Sequence, residues 1–174
     1  MQEKTGYKWH AVYVKSRAEK KANESLNVQG IETYLPMSLK KKKWSDRMKI
    51  VEEPLLKGYL FVHVSSREYV EVLKTSGVVA YITFGGRAAE IPGKQIQDLR
   101  LFLEKINSKI HVTNEHICKG QRVKVIHGVL EGVEGEIVEV RGKKRIVLRF
   151  ESLECSVFAD VSVDLIEEAE PLDL

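Results

Sequence analysis

Cysteine is scarce in this chain. Only Cys118 and Cys155 occur among 174 residues, and neither stands in a CxxC pair. That excludes a disulfide scaffold and reads as two reduced, packed thiols in a bacterial-type cytosolic setting. Long apolar runs are lacking too. No stretch approaches the ~20 apolar residues that a membrane span needs, and the opening MQEKTGYKWH has no apolar signal core. A cytoplasmic protein with no membrane contact is expected. Catalytic signatures are missing as well. His10, His63, His111, His116 and His127 are scattered, without a HExxH or a His/Cys metal spacing. Glu52 and Glu53 are adjacent, so strand geometry points them to opposite faces and they make no paired-carboxylate site. No nucleophile elbow appears. The chain reads as a non-enzyme that uses no metal and no cofactor.

What is present is a globular composition, 43% hydrophobic and 30% charged. The net charge of +3 conceals two halves of opposite sign. Residues 1–113 carry 20 Lys+Arg against 12 Asp+Glu, and residues 114–174 carry 8 against 13. Such asymmetry points to two modules with different partners, the basic one suited to nucleic acid.

The first ~107 residues alternate strands and helices. WHAVYVKS (9–16) reads as a strand, and Ser16 with Glu19 as a capping box opening a helix that stops at Gly30. IETYLPMSL (31–39) reads as a second strand. KKKKWSDRMK (40–49), six cations against one Asp, is placed on a long hairpin or loop. IVEEPLLKGYLFVHV (50–64) reads as one strand that is apolar at both parities, so both its faces need cover or a partner. Ser65 and Glu68 repeat the capping box before a short helix ending near Gly77, and VVAYITF (78–84) is a further strand. Pro92 opens a helix with Ile96, Leu99, Leu103 and Ile106 on one stripe. This βαββαβα order predicts an α/β sandwich on a mostly antiparallel sheet. Residues 107–118 carry no clear period and read as a linker. Residues 119–168 hold five short Val- and Ile-rich strands with Gly128, Gly132 and Gly135 at turns or bulges, the pattern of a small closed barrel. The fold class is α+β.

Val123, Val125, Gly128, Gly132, Gly135, Ile137 and Val138 fill the positions of a KOW motif. Upstream, KWHAVYVKSRAEKKANESL, EPLLKGYLFV and GVVAYITFGGRAAEIP resemble successive blocks of the NusG amino-terminal (NGN) domain. The two in this order cover nearly the whole chain, which is identified as a member of the NusG family of transcription elongation and antitermination factors. YLPMSL and the acid-Pro-Leu start of EEPLLKGYLFV look closer to specialised, RfaH-like paralogs that serve particular operons.

The resemblance implies an NGN-type domain (1–107), a linker (108–118) and an SH3-like KOW barrel (119–174). It implies that a hydrophobic patch of the first sheet docks on the coiled coil of the RNA polymerase clamp. Tyr13, Leu56, Tyr59, Phe61 and Phe84 match that patch, with Trp9 at its border. Lys15 matches a position that meets exposed non-template DNA, with Arg17, Lys20 and Lys21 nearby, and the hairpin offers Lys41, Lys42, Lys43, Trp44 and Arg47. Gly128, Leu130, Gly132 and Gly135 mark the barrel tip that in relatives grips a ribosomal protein or Rho. Val129-Leu130 replaces the usual Pro-Phe there, which puts both partnerships in question. A monomer is expected. The competing reading is a ribosome-associated KOW protein binding RNA, disfavoured by the acidic second half. One relative refolds its second domain between helix and barrel. The β-branched residues at positions 123, 125, 137, 138, 140, 146, 147, 161 and 163 predict no such switch here.

Overall fold

The computed structural model describes residues 6–44, 46–106, 110–115, 117, 119–128, 130–140, 142–161 and 169–171. Cys118, His116, Val129 and Val163 lie outside them. The chain divides into two compact units, Met1–Gly93 and Lys94–Leu174.

In the first unit the elements are β1 (Lys8–Val14), α1 (Glu19–Val28), β2 (Glu32–Tyr34), β3 (Met37–Lys43), β4 (Met48–Pro54) and β5 (Tyr59–Val64). There follow α2 (Tyr69–Lys74), β6 (Val78–Tyr81), β7 (Thr83–Phe84), β8 (Arg87–Ala88) and β9 (Glu90–Ile91). The central sheet runs β2-β5-β1-β6, with β9 also pairing β1, and every pairing is antiparallel. Its alternation is clean on β1: Val12 and Val14 join Leu60, Val62 and Val64 of β5 in a core with Ala22 and Leu26 of α1 and Val72 of α2. The opposite parity, Trp9, Ala11 and Tyr13, faces the other way beside Tyr59, Phe61 and His63.

Two expectations are corrected here, and a third holds. The run 50–64 is not one strand. It breaks at residues 55–58, where Leu55 and Leu56 turn into the core and Gly58 takes φ +79°. The Ser16–Glu19 capping box does not form: α1 starts without a side-chain cap, and Glu19 is buried, accepting the Gly58 N–H at 3.0 Å instead. A buried amide donor outcompetes a solvent-exposed cap, because leaving it unmade costs more. The Ser65–Glu68 contact does form, with the Glu68 carboxylate accepting from both the Ser65 N–H and hydroxyl.

The second unit begins with α3 (Gly93–Lys105), then β10 (Ile110–Thr113), β11 (Gln121–Val125), β12 (Glu134–Val140), β13 (Lys143–Phe150), β14 (Cys155–Asp160) and β15 (Ala169–Pro171). Its strands form one antiparallel sheet in the order β10-β14-β13-β12-β11-β15, an all-β KOW-like region. Residues 110–113, read as linker, are a strand of that sheet: Ile110–Thr113 pair with Ala159–Ser156. The face of α3 that is buried carries Ile96, Leu99 and Phe102, while Leu103 is only half-buried. Cys155 is buried, and desolvation pushes its thiol up to about 11, which leaves it inert at neutral pH.

A candidate docking face and a basic ribbon

The aromatic residues picked out in the sequence divide into a rim and a support. Tyr13 and Tyr59 are cross-strand partners on the sheet face turned away from α1 and α2. Their rings meet edge to face with centroids 6.2 Å apart. Tyr13 is 46% exposed and Tyr59 is half-buried. Gly58 makes room for this pair. A Cβ there would sit 3.0 Å from Tyr13 Cε2, so the ring lies against bare backbone. The Gly58 carbonyl also accepts the Val14 N–H at 2.8 Å, fixing the turn to the end of β1.

Phe61, Leu56 and Trp9, expected in the same patch, are buried. Phe61 stacks on Tyr34, centroids 6.2 Å apart, and Trp9 stacks on His63 at 4.9 Å. His63 in turn pairs with Glu32 at 2.8 Å. Parity alone could not separate them from Tyr13, because all lie on one side of the sheet or in its turn. They serve as the floor on which the exposed rings rest. Phe84 stands apart on the β7–β8 hairpin, 69% exposed beside the Gly85-Gly86 turn.

The cations follow two paths. Lys15, Arg17, Lys20 and Lys21 are all exposed around the β1–α1 corner. Arg17 is held at φ +65°, a conformation that costs an L-residue about 1 kcal/mol or more. Sequence reasoning had no signal for this strain. Lys20 Nζ lies 3.4 Å from Glu52, which links the corner to the base of the second path.

That second path is the ribbon formed by β3 and β4, paired from Met37–Pro54 to Lys43–Met48 and joined to no other strand among the described residues. Trp44 and Arg47 close its tip, with the Trp44 N–H donating to the Arg47 carbonyl at 2.8 Å. KKKKWSDRMK therefore lies on a hairpin, as expected. Lys42 pairs with Glu53, and this hydrogen bond holds the Glu53 carboxyl below its ordinary value against partial desolvation.

In the second unit the predicted tip is not exposed as expected. Leu130 is fully buried. Its turn is closed by the Glu131 N–H to the Gly128 carbonyl at 3.1 Å and the Gly132 N–H to the Val125 carbonyl at 2.8 Å. Lys94 of α3 donates to the Gly132 carbonyl at 2.8 Å and pairs with the buried Asp98. Gly135 is required by space, since a Cβ would meet the Val147 carbonyl at 3.0 Å.

An α+β unit with aromatic and cationic surfaces is thus followed by a unit of α3 and one six-stranded antiparallel sheet, a two-part α+β protein. The comparisons then name the family. The family model for "Transcription termination factor nusG" matches residues 7–100. The chain belongs to the NusG family, whose members are non-enzymatic transcription termination and antitermination factors. It is 27% identical over 179 residues to the transcription termination/antitermination protein NusG of Chlamydia muridarum, spanning 95% of this chain and 97% of that one. It is 25% identical over 151 residues to the protein of that name from Lactococcus lactis, spanning 78% and 80%. Among solved structures, one titled for domain interaction in Thermotoga maritima NusG aligns over 96% of this chain and 98% of that one, at 21% identity and a TM-score of 0.47. None of the described helices is long and apolar enough to cross a membrane.

Proposed function

We infer that this chain is a cytoplasmic, monomeric elongation regulator. Its NGN-type domain (1–107) docks on the coiled coil of the RNA polymerase clamp and favours processive, antiterminating elongation on particular operons. The observation that carries this reading is the Tyr13–Tyr59 ring pair, Tyr13 exposed and Tyr59 half-buried, on the sheet face turned away from α1 and α2. Large, rigid, half-polar rings are the residues that dominate protein interfaces. Tyr13, 46% exposed on the face that the helices leave uncovered, offers such a ring to a partner. Phe84 offers a second exposed ring on its own hairpin, and the buried Phe61, Leu56 and Trp9 underlie the tyrosine pair. The cations at Lys15, Arg17, Lys20 and Lys21 face displaced DNA beside the enzyme. The KOW-like unit that follows, whose sheet includes β10, recruits a second factor. With Leu130 buried, that factor meets the barrel elsewhere than at the Leu130 side chain.

The test is capture on immobilised bacterial RNA polymerase. Tyr13→Ala with Tyr59→Ala lowers retention at least tenfold while Trp9 fluorescence shows a folded first unit. Undiminished retention of the folded double variant would remove the site.

A further inference from the structure

The β3–β4 ribbon has two chemically different faces. Strand alternation puts Lys40, Lys42 and Trp44 on one face, across from Val51, Lys49 and Arg47. The other face carries Leu39, Lys41 and Lys43 opposite Glu52, Ile50 and Met48. The side chains confirm the partition. Lys49 Nζ lies 5.2 Å over the Trp44 ring, and Trp44 is 53% exposed. Lys40, Lys42, Arg47 and Lys49 are all exposed; among the described residues Glu53, paired to Lys42, offsets them on this face, and Asp46 lies at the tip beside Arg47.

We propose that the Trp44 face of this ribbon is a binding site for an unpaired nucleic-acid strand, with one base stacked on the Trp44 indole. Lys49 flanks that base. Arg47 at the tip and Lys42 and Lys40, which step down the ribbon by about 7 Å, meet successive phosphates. Stacking is sequence-tolerant, because every base has a π-face, and it needs a base that is out of a duplex. The 53% exposure of Trp44 leaves ring surface open to a base, and Lys49 places a cation beside it. An indole surrounded by cations at a hairpin tip suits a strand whose phosphates are negative and whose bases are free. The apolar Leu39–Ile50–Met48 stripe points away from it. The proposal deepens the nucleic-acid part of the function above and rests on that reading for its biological setting, though not for its chemistry.

The experiment uses the full chain and a labelled oligothymidylate of about 12 nucleotides, its uridylate counterpart, and a duplex of equal length. Trp44 emission is quenched on titration with the single strands. Trp44→Leu weakens binding about 10- to 100-fold and leaves Trp9 emission unmoved by the oligonucleotide. Lys40→Gln with Lys49→Gln lowers the slope of log K against log salt by about 0.7 per cation removed. Leu39→Ser with Ile50→Ser, on the opposite face, binds within twofold of the wild type. Whichever single strand binds more tightly identifies the source as DNA or RNA, and both agree with the site. Unchanged affinity in Trp44→Leu overturns the proposal. So does tighter binding to the duplex, which would place the ribbon in a major groove instead. The Tyr13→Ala, Tyr59→Ala variant keeps its oligonucleotide affinity, so failure of polymerase capture and failure of this site are separately visible.

Discussion

Replacing Gly58 by Ala perturbs both the turn before β5 and the ring pair it supports. Gly58 sits at φ +79°, where an L-residue loses about 1–2 kcal/mol. Reduced freedom of the unfolded chain returns roughly 0.4–1 kcal/mol. The net backbone cost is therefore about 1 kcal/mol. Gly30 supplies a matched control: it has φ +80°, and a Cβ there meets nothing within 4 Å. Gly30→Ala reads the backbone cost alone. At Gly58 the new Cβ also presses on Tyr13 Cε2 from 3.0 Å, so the ring must shift by a few tenths of an ångström. Tyr13 is exposed enough to yield, and the added loss of stability is small beside the backbone cost. The consequence for docking is larger, because the ring leaves its edge-to-face seat on Tyr59. Trp9 and Trp44, the two tryptophans, both lie in the first unit, so tryptophan emission follows its unfolding without interference from the second. Each variant should lower the midpoint by roughly 4–8 °C, the shift expected per kcal/mol for a unit of this size. Only Gly58→Ala should also weaken polymerase capture. If Gly58→Ala melts at the wild-type temperature, the left-handed turn is wrong. If both alanines leave capture intact, the ring seat has no part in binding.

Two carboxylates of the second unit give opposite pH signatures. Glu136 accepts the Arg149 guanidinium through two hydrogen bonds, at 3.0 and 2.9 Å, and the Gly120 N–H at 3.1 Å. The Arg149 bond holds its pKa below the ordinary 4.5, against desolvation. Its stabilisation is complete above pH 4.5 and is lost as pH falls through the lowered value; Glu136→Gln costs about 2 kcal/mol at neutral pH. Amide exchange in β12 and β13 reads this, and equal protection in both proteins would contradict it. Asp98 is raised above the ordinary 3.8 by burial, which Lys94 offsets only in part. Its folded form favours the proton, so this residue adds stability as pH drops from its raised value towards 3.8, a rise that Asp98→Asn abolishes in acid-range exchange of α3. A rise that persists in the variant would place its source in another group.

Local chemistry made much of this legible. The β1 alternation, the α3 stripe at Ile96 and Leu99, the hairpin under the lysine run and the glycine turns of the second unit follow from period and turn residues. Long-range partners hid the rest. The break at residues 55–58 depends on Leu55 and Leu56 finding a core and on Glu19 reaching the Gly58 amide, 39 positions away in the chain. β10 looked like linker because its pairing partner, β14, comes more than 40 residues later. At the candidate site, residue type was visible and depth was not. Tyr13 and Phe61 share a sheet face, yet one is 46% exposed and the other fully covered. Alternation assigns a side of the sheet, not how much of that side water reaches.

The central claim is that the Tyr13–Tyr59 rim is where polymerase sits. A photo-crosslinking residue at position 13 of the full chain, activated in a stalled elongation complex and mapped by mass spectrometry, tests it most directly. The account predicts an adduct with the coiled coil of the clamp, lost on competition with unlabelled wild-type protein and retained with the Tyr13→Ala, Tyr59→Ala competitor. An adduct confined to another polymerase surface, or none while the protein stays bound, would contradict it.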